Sequence, residues 1–231
     1  MMNPIPMNQT PAGQRWGRQL ASVGALIAWV ALGLQLYETH GIVTSQGRGF
    51  QSTLFVLLGY FTILTNILSA WALSVAALAA APAQTGSRAS TPSPFFMRPS
   101  TVGGIAVSMT LVGLVYNLVL RQLYSPVGIA RLADELLHVV MPLVFLLYAW
   151  LCVCKTDLQW RDALIWAIYP LVYLVYALVR GALFGPYPYP FIDVAQLGYK
   201  TVLMNSVGVC VVFMAMSLLF IVVGRWNDRK F

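Results

Sequence analysis

Apolar runs recur along the whole 231-residue chain, broken by short polar stretches, and six of them are long enough to cross a bilayer. With about 20 apolar residues needed per span, hydropathy and length predict spans at about 19–37, 52–80, 101–121, 132–153, 161–180 and 199–223. The second is longer than a bilayer requires, so it is expected to tilt or to extend past the membrane. No change of composition divides the chain. The expected architecture is therefore all-α, a single polytopic domain over 1–231 built as a six-transmembrane-helix bundle. A tail at 1–18 precedes it. Residues 82–100, PAQTGSRASTPSPFFMRPS, read as a flexible loop, and 181–198 as a Pro-aromatic cap over one mouth of the bundle. No internal repeat is visible, which weakens the case for a secondary transporter.

Composition agrees with that reading. The chain is 59% hydrophobic and 9% charged, more apolar than a soluble domain of this length needs to fill a core. Its start lacks a basic segment followed by a short apolar core and a small-residue cleavage site, so it reads as a mature tail. The net charge of +7 is carried by residues scattered singly between spans, a pattern that suits anionic lipid headgroups and not nucleic acid. Sorted by loop, Arg15, Arg18, Arg88, Arg98, Lys155, Arg161, Arg225, Arg229 and Lys230 fall on one side, nine in all. Arg48, Arg121, Arg131, Arg180 and Lys200 make five on the other. The positive-inside rule then predicts both termini in the cytoplasm. Cys152, Cys154 and Cys210 form neither a redox pair nor a zinc spacing, and are expected as packing residues near the cytoplasmic ends of their helices. Neither a metal nor another cofactor is implied, and the number of chains per assembly is not encoded.

The candidate chemistry lies in the polar residues that interrupt the spans. GYFTILTNIL, residues 59–68, carries Thr62, Thr65 and Asn66 at i, i+3 and i+4, on one helical face. At 1.5 Å per residue, Thr62 is expected roughly 15 Å below the outer end of its helix, and His138 roughly 9 Å below the outer end of the fourth. Asn117, Arg121, Arg180 and Asn205 share that leaflet, with Asp134 and Glu135 opening helix four. Buried ionisable groups usually face a bundle interior or a wet cavity, so their common depth predicts an outward-opening polar pocket. Interhelical hydrogen bonding accounts for Thr65 or Asn205 taken singly. Asp134 and Glu135, four and three residues before His138, can each hold one ring nitrogen as a donor and leave the other to accept a proton. Pro142 lacks an N–H and would leave the carbonyl of residue 138 without a helix partner. His40, beside Glu38, is expected in a solvated outer loop, which argues against a bis-histidine haem. Tyr169, Tyr173, Tyr176 and Arg180 form one stripe, readable as aromatic packing with a snorkelling Arg or as a phenol-lined ligand wall. GPYPYPFID, residues 185–193, cannot be regular helix and ends in the acid Asp193.

Four stretches carry a resemblance: YFTILTNIL at 60–68, LLHVVMP at 136–142, YPLVYLVYALVRG at 169–181 and YPYPFID at 187–193. In their order and spacing the chain resembles the androgen-induced-gene family of membrane proteins, most closely its bacterial branch. The resemblance implies a multi-pass hydrolase of fatty acid esters of hydroxy fatty acids that uses an intramembrane threonine and a histidine. Those two fall on Thr62 and His138, and the family's Tyr-Pro-Phe with a following acid falls on Tyr189, Pro190, Phe191 and Asp193. The animal members carry one more residue between the His and the Pro and lack the Thr65-Asn66 pair. For a bacterial chain the resemblance implies the cytoplasmic membrane.

The expected reaction is attack of Thr62 on an ester carbonyl, with His138 as base and then acid, and Asp134 or Glu135 orienting the ring. Asn66, Asn117, Tyr173, Tyr176, Arg180, Tyr189 and Asp193 are candidates for oxyanion or substrate binding. The lipid ester would enter from the bilayer. An acyltransferase with the same dyad, and a non-enzymatic binder or transporter of an amphipathic molecule, are the alternatives.

Overall fold

The computed structural model describes residues 11–79, 94–152 and 155–228. Its helices are α1 (Pro11–Ser45), α2 (Phe50–Leu57), α3 (Phe61–Leu78), α4 (Pro99–Leu120), α5 (Gly128–Cys152), α6 (Trp160–Phe184) and α7 (Val194–Asp228), with no strand among the described residues. All but α2 are long and apolar enough to cross a membrane. They run up and down, so the starts of α1, α4 and α6 share one end of the bundle. Helix α2, the α4–α5 connection and residues 185–193 share the other, the distal end.

The expected second span, 52–80, is two helices. Leu58, Gly59 and Tyr60 separate α2 from α3, so Thr62 is the second residue of a helix and not a mid-helix position. Such a break exposes carbonyls that hydrocarbon cannot satisfy, and it persists only where protein supplies donors. Here α6 supplies them. Arg180 Nη2 donates to Phe55 O at 3.1 Å, Tyr176 O–H to Leu58 O at 3.2 Å and Tyr173 O–H to Gly59 O at 2.9 Å. The guanidinium also lies 4.3 Å from the centre of the Phe55 ring. A Cβ on Gly59 would stand 2.8 Å from Arg180 Cζ, so glycine is what lets the guanidinium approach.

Small residues draw the remaining helices together. Ala21, Gly24, Ala25, Ala28 and Ala31 form one stripe on α1, which packs most extensively on α3 against Ala70, Leu73 and Ala76. A Cβ on Gly24 would meet Val144 at 3.0 Å and Leu73 at 3.1 Å. Trp166 of α6 fills a groove over Gly103 and Gly104, where an added Cβ would lie 2.7 Å from its ring, and donates Nε1–H to Ser100 O at 2.8 Å.

The segment between α6 and α7 is fixed at several points. The Tyr187 ring lies against Gly181, Asn205 Nδ2 donates to Phe191 O at 2.9 Å, and Asp193 caps α7 by accepting from Ala195 N and Gln196 N. The capping turn ends at Gly198, whose φ of 73° kinks α7, and the long span starts beyond it. Part of the expected flexible loop, residues 82–93, lies outside the described residues. The rest is ordered differently from expectation: Phe95–Met97 is a 3₁₀ turn with Phe96 on the core, and α4 starts at Pro99. The tail at 1–10 also lies outside the described residues, and 11–18 belongs to α1.

Candidate functional site

Because α3 starts at Phe61, the amide of Thr62 is one of the orphan donors of a helix N-terminus. The partner is Tyr189, whose hydroxyl accepts from Thr62 N at 3.3 Å and stands 3.4 Å from Thr62 Oγ1. Burial pushes the Tyr189 phenol above its ordinary pKa, so it keeps its proton and remains a donor. Both residues face a cavity of about 100 Å³ between α3, α4, α6 and α7. Its wall is apolar, with Leu111, Val112 and Phe213 at the far end from Tyr189. Ser206 and Cys210 are the other polar groups on it, and Tyr173 shows it a ring whose hydroxyl is spent on Gly59. Of the lining residues only Leu171, at 47%, is exposed, whereas the roof residues Tyr189 and Ile192 are buried. The opening therefore lies at the side of the bundle.

Asn66, one turn beyond Thr62, is fully buried and ties two helices together. Its Nδ2 donates to Thr62 O at 2.9 Å and to Leu137 O at 3.2 Å. Leu137 O needs that donor because α5 widens into a π turn over Leu136–Val140, with Met141 N bonded to Leu136 O. The next donor in this register would be residue 142, a proline. The carbonyl orphaned by Pro142 is thus that of Leu137, one residue before the expected position. Asn66 Oδ1 has no hydrogen-bond partner among the described residues.

The wide turn in α5 faces another in α4, over Tyr116–Leu120, where Arg121 N bonds Tyr116 O at 2.8 Å. Across the pair, Tyr116 and His138 stack with centroids 4.1 Å apart and planes 16° apart. His138 Nδ1 donates to Asp134 O at 2.9 Å and Asp134 Oδ1 at 3.0 Å, and the Tyr116 hydroxyl donates to Asp134 Oδ2. Of the two acids, Asp134 is the one on the imidazole. Glu135 pairs with Arg121, which lies over the Tyr116 ring at 5.7 Å.

No hydrogen bond joins Thr62 to His138 among the described residues, and His138 is not on the wall of the Thr62 cavity. Their backbones approach through Asn66. Proton transfer between them needs a bridging molecule.

Other predicted site residues have different employment. Tyr176 and Arg180 satisfy carbonyls of the α2–α3 break, and Arg180 is buried there instead of snorkelling. Asn117 is exposed, donating to its own helix at Gly113 O and accepting from Arg121. Asp193 is a helix cap, and Asn205 holds the roof. Thr65 bonds Phe61 O at 2.7 Å and the Tyr169 hydroxyl at 3.0 Å. His40 is not in a loop: α1 continues to Ser45, and the ring is half-buried, 3.0 Å from Thr53 Oγ1. Cys152 packs on the core, but Cys210 lies near the middle of α7 on the cavity wall and not near a helix end. Cys154 lies outside the described residues. Tyr116, absent from the predicted site, is the residue the fold adds to it.

No protein-family model, no curated protein and no solved structure matches the chain.

Proposed function

We propose that the chain is an intramembrane hydrolase of lipid esters, of the class its resemblance implies: fatty acid esters of hydroxy fatty acids. The observation that carries this is Thr62 itself, a buried hydroxyl beside a phenol in a mostly apolar cavity, whose side opening in this reading meets the acyl chains of a bilayer. In this reading the acyl tail lies among Leu111, Val112 and Phe213, and the ester carbonyl sits at Thr62. Thr62 Oγ1 attacks the carbonyl carbon, and its proton passes through a bridging water to Nε2 of His138. Tyr189 donates to the developing oxyanion. The alcohol leaves with the proton from His138, and water repeats the sequence to free the acid. Both termini lie in the cytoplasm, following the nine-to-five distribution of Lys and Arg, so the distal end faces outward. The basic residues at the cytoplasmic end meet anionic headgroups, in the cytoplasmic membrane if the chain is bacterial.

A second reading is favoured by one observation: His138 lies off the cavity wall, its Nδ1 committed to Asp134. The cavity would then hold an amphipathic lipid without cleaving it. The test is a panel of hydroxy-fatty-acid esters presented to the protein in nanodiscs, with products identified. Parent activity, lost by about a thousandfold in Thr62→Ala and His138→Ala, supports hydrolysis. Folded variants that cleave as well as the parent sink it, and a lipid retained by such variants leaves the binder. Labelling by a fluorophosphonate at Thr62 and not Thr65 identifies the nucleophile, and transfer to an added lipid alcohol marks an acyltransferase.

A further inference from the structure

We infer that Tyr116 is a positioning residue for His138 and acts on it through the carboxylate of Asp134; this rests on reading His138 as the base. Among the described residues, the groups bonded to His138 Nδ1 are both acceptors: Asp134 O at 2.9 Å and Asp134 Oδ1 at 3.0 Å. Nδ1 therefore carries a proton, and in the neutral ring Nε2 presents its lone pair. A carboxylate can rotate about its bond to the chain, and one hydrogen bond does not stop it. The second oxygen of Asp134 is held by the Tyr116 hydroxyl, so both are committed and the plane is set. The Tyr116 ring, stacked 4.1 Å from the imidazole, blocks rotation of His138 itself. One buried side chain thus restrains both the base and its acid.

The backbone is shaped to allow this. Here α4 and α5 each take in an extra residue, over Tyr116–Leu120 and Leu136–Val140, and the stacked rings are the residues at these wide turns. Such turns concentrate at functional sites, and two facing each other around one hydrogen-bonded trio exceed what packing of a tyrosine requires. Tyr173 and Tyr176, by contrast, place their hydroxyls on backbone carbonyls.

The test needs a signal from His138 that does not pass through catalysis. The chain has two histidines, so ¹⁵N-histidine spectra of the full protein in nanodiscs are assigned by comparison with His40→Gln. The parent should show the Nδ1 proton of His138 slow to exchange. Tyr116→Phe keeps the stacked ring and removes the hydroxyl. Exchange of the Nδ1 proton should then quicken about tenfold, the worth of one hydrogen bond to a charged group, and kcat on a lipid ester should fall by a similar factor with KM unchanged. If the Phe variant does not fold, Tyr116→Trp, which keeps a ring and loses that hydroxyl, is read in the same way. A His138 signal that superimposes on the parent's in the folded variant overturns the inference whatever the activity does. A shifted signal in a protein that cleaves no ester upholds the positioning role and discards the hydrolase.

Discussion

The surroundings of Thr62 and of His138 are built in opposite ways. Around Thr62 a helix is broken outright: its carbonyls are served by side chains of α6, its first amides turn to Tyr189, and a cavity remains beside them. Around His138 two helices stay continuous and merely widen, and the polar groups so gathered satisfy one another. A break makes room; a widened turn tightens a network without making room. Space for a ligand and control of a proton call for different distortions of the same secondary structure. Asn66 is the side chain that spans the two.

The sharpest way to break this contrast is to remove the cavity's hydroxyl. Thr62→Ala should abolish ester cleavage by about a thousandfold while leaving thermal unfolding in detergent nearly unchanged, because Oγ1 makes one long contact at 3.4 Å. A large loss of stability would assign Thr62 to structure. Next in size is Gly59→Ala, which drives a methyl to 2.8 Å from Arg180 Cζ. About 3 kcal/mol of destabilisation is expected from such overpacking, with faster hydrogen exchange in α2 and little change at His138. Asn66→Leu should cost about 2 kcal/mol by leaving Leu137 O buried and unserved. As the tie between the two regions, it should raise exchange in α3 and in the α5 wide turn together; a change confined to one helix would show that they are independent. The smallest effect belongs to Tyr176→Phe. Its side chain is 40% exposed and serves one carbonyl, so about 1 kcal/mol or less is expected from the shift in melting temperature.

Much of this architecture was legible in the chain because hydrocarbon imposes a simple length rule, and five of the six long helices follow the apolar runs. The break at 58–60 escaped that rule, since LGY is as apolar as its neighbours and only the donors on α6 make it tolerable. For the same reason Tyr176 and Arg180 looked available for a ligand when they serve the backbone. Asp134 as partner of His138 followed from the i, i+4 spacing, and the choice over Glu135 was decided by Arg121, a contact between helices. Tyr116 was out of reach of arithmetic. Helices joined by a short connection lie antiparallel, but Tyr116 stands five residues before the 121–127 connection and His138 eleven after it, so equal spacing does not pair them. The Thr62–Tyr189 contact joins positions 127 apart and needed the folded chain.

The pinned segment over α6 and α7 settles how any occupant must be counted. With Tyr187 seated on Gly181, Asn205 holding Phe191 and Asp193 locked to the next helix, there is no flap to swing toward bulk water. If the cavity takes a lipid, as proposed, exchange proceeds sideways past Leu171, and the occupant's chemical potential is set by its mole fraction among neighbouring lipids instead of its molarity in buffer. Diluting the surrounding bilayer with inert lipid at fixed total concentration should therefore weaken apparent binding in proportion, as a solvent does for a solute.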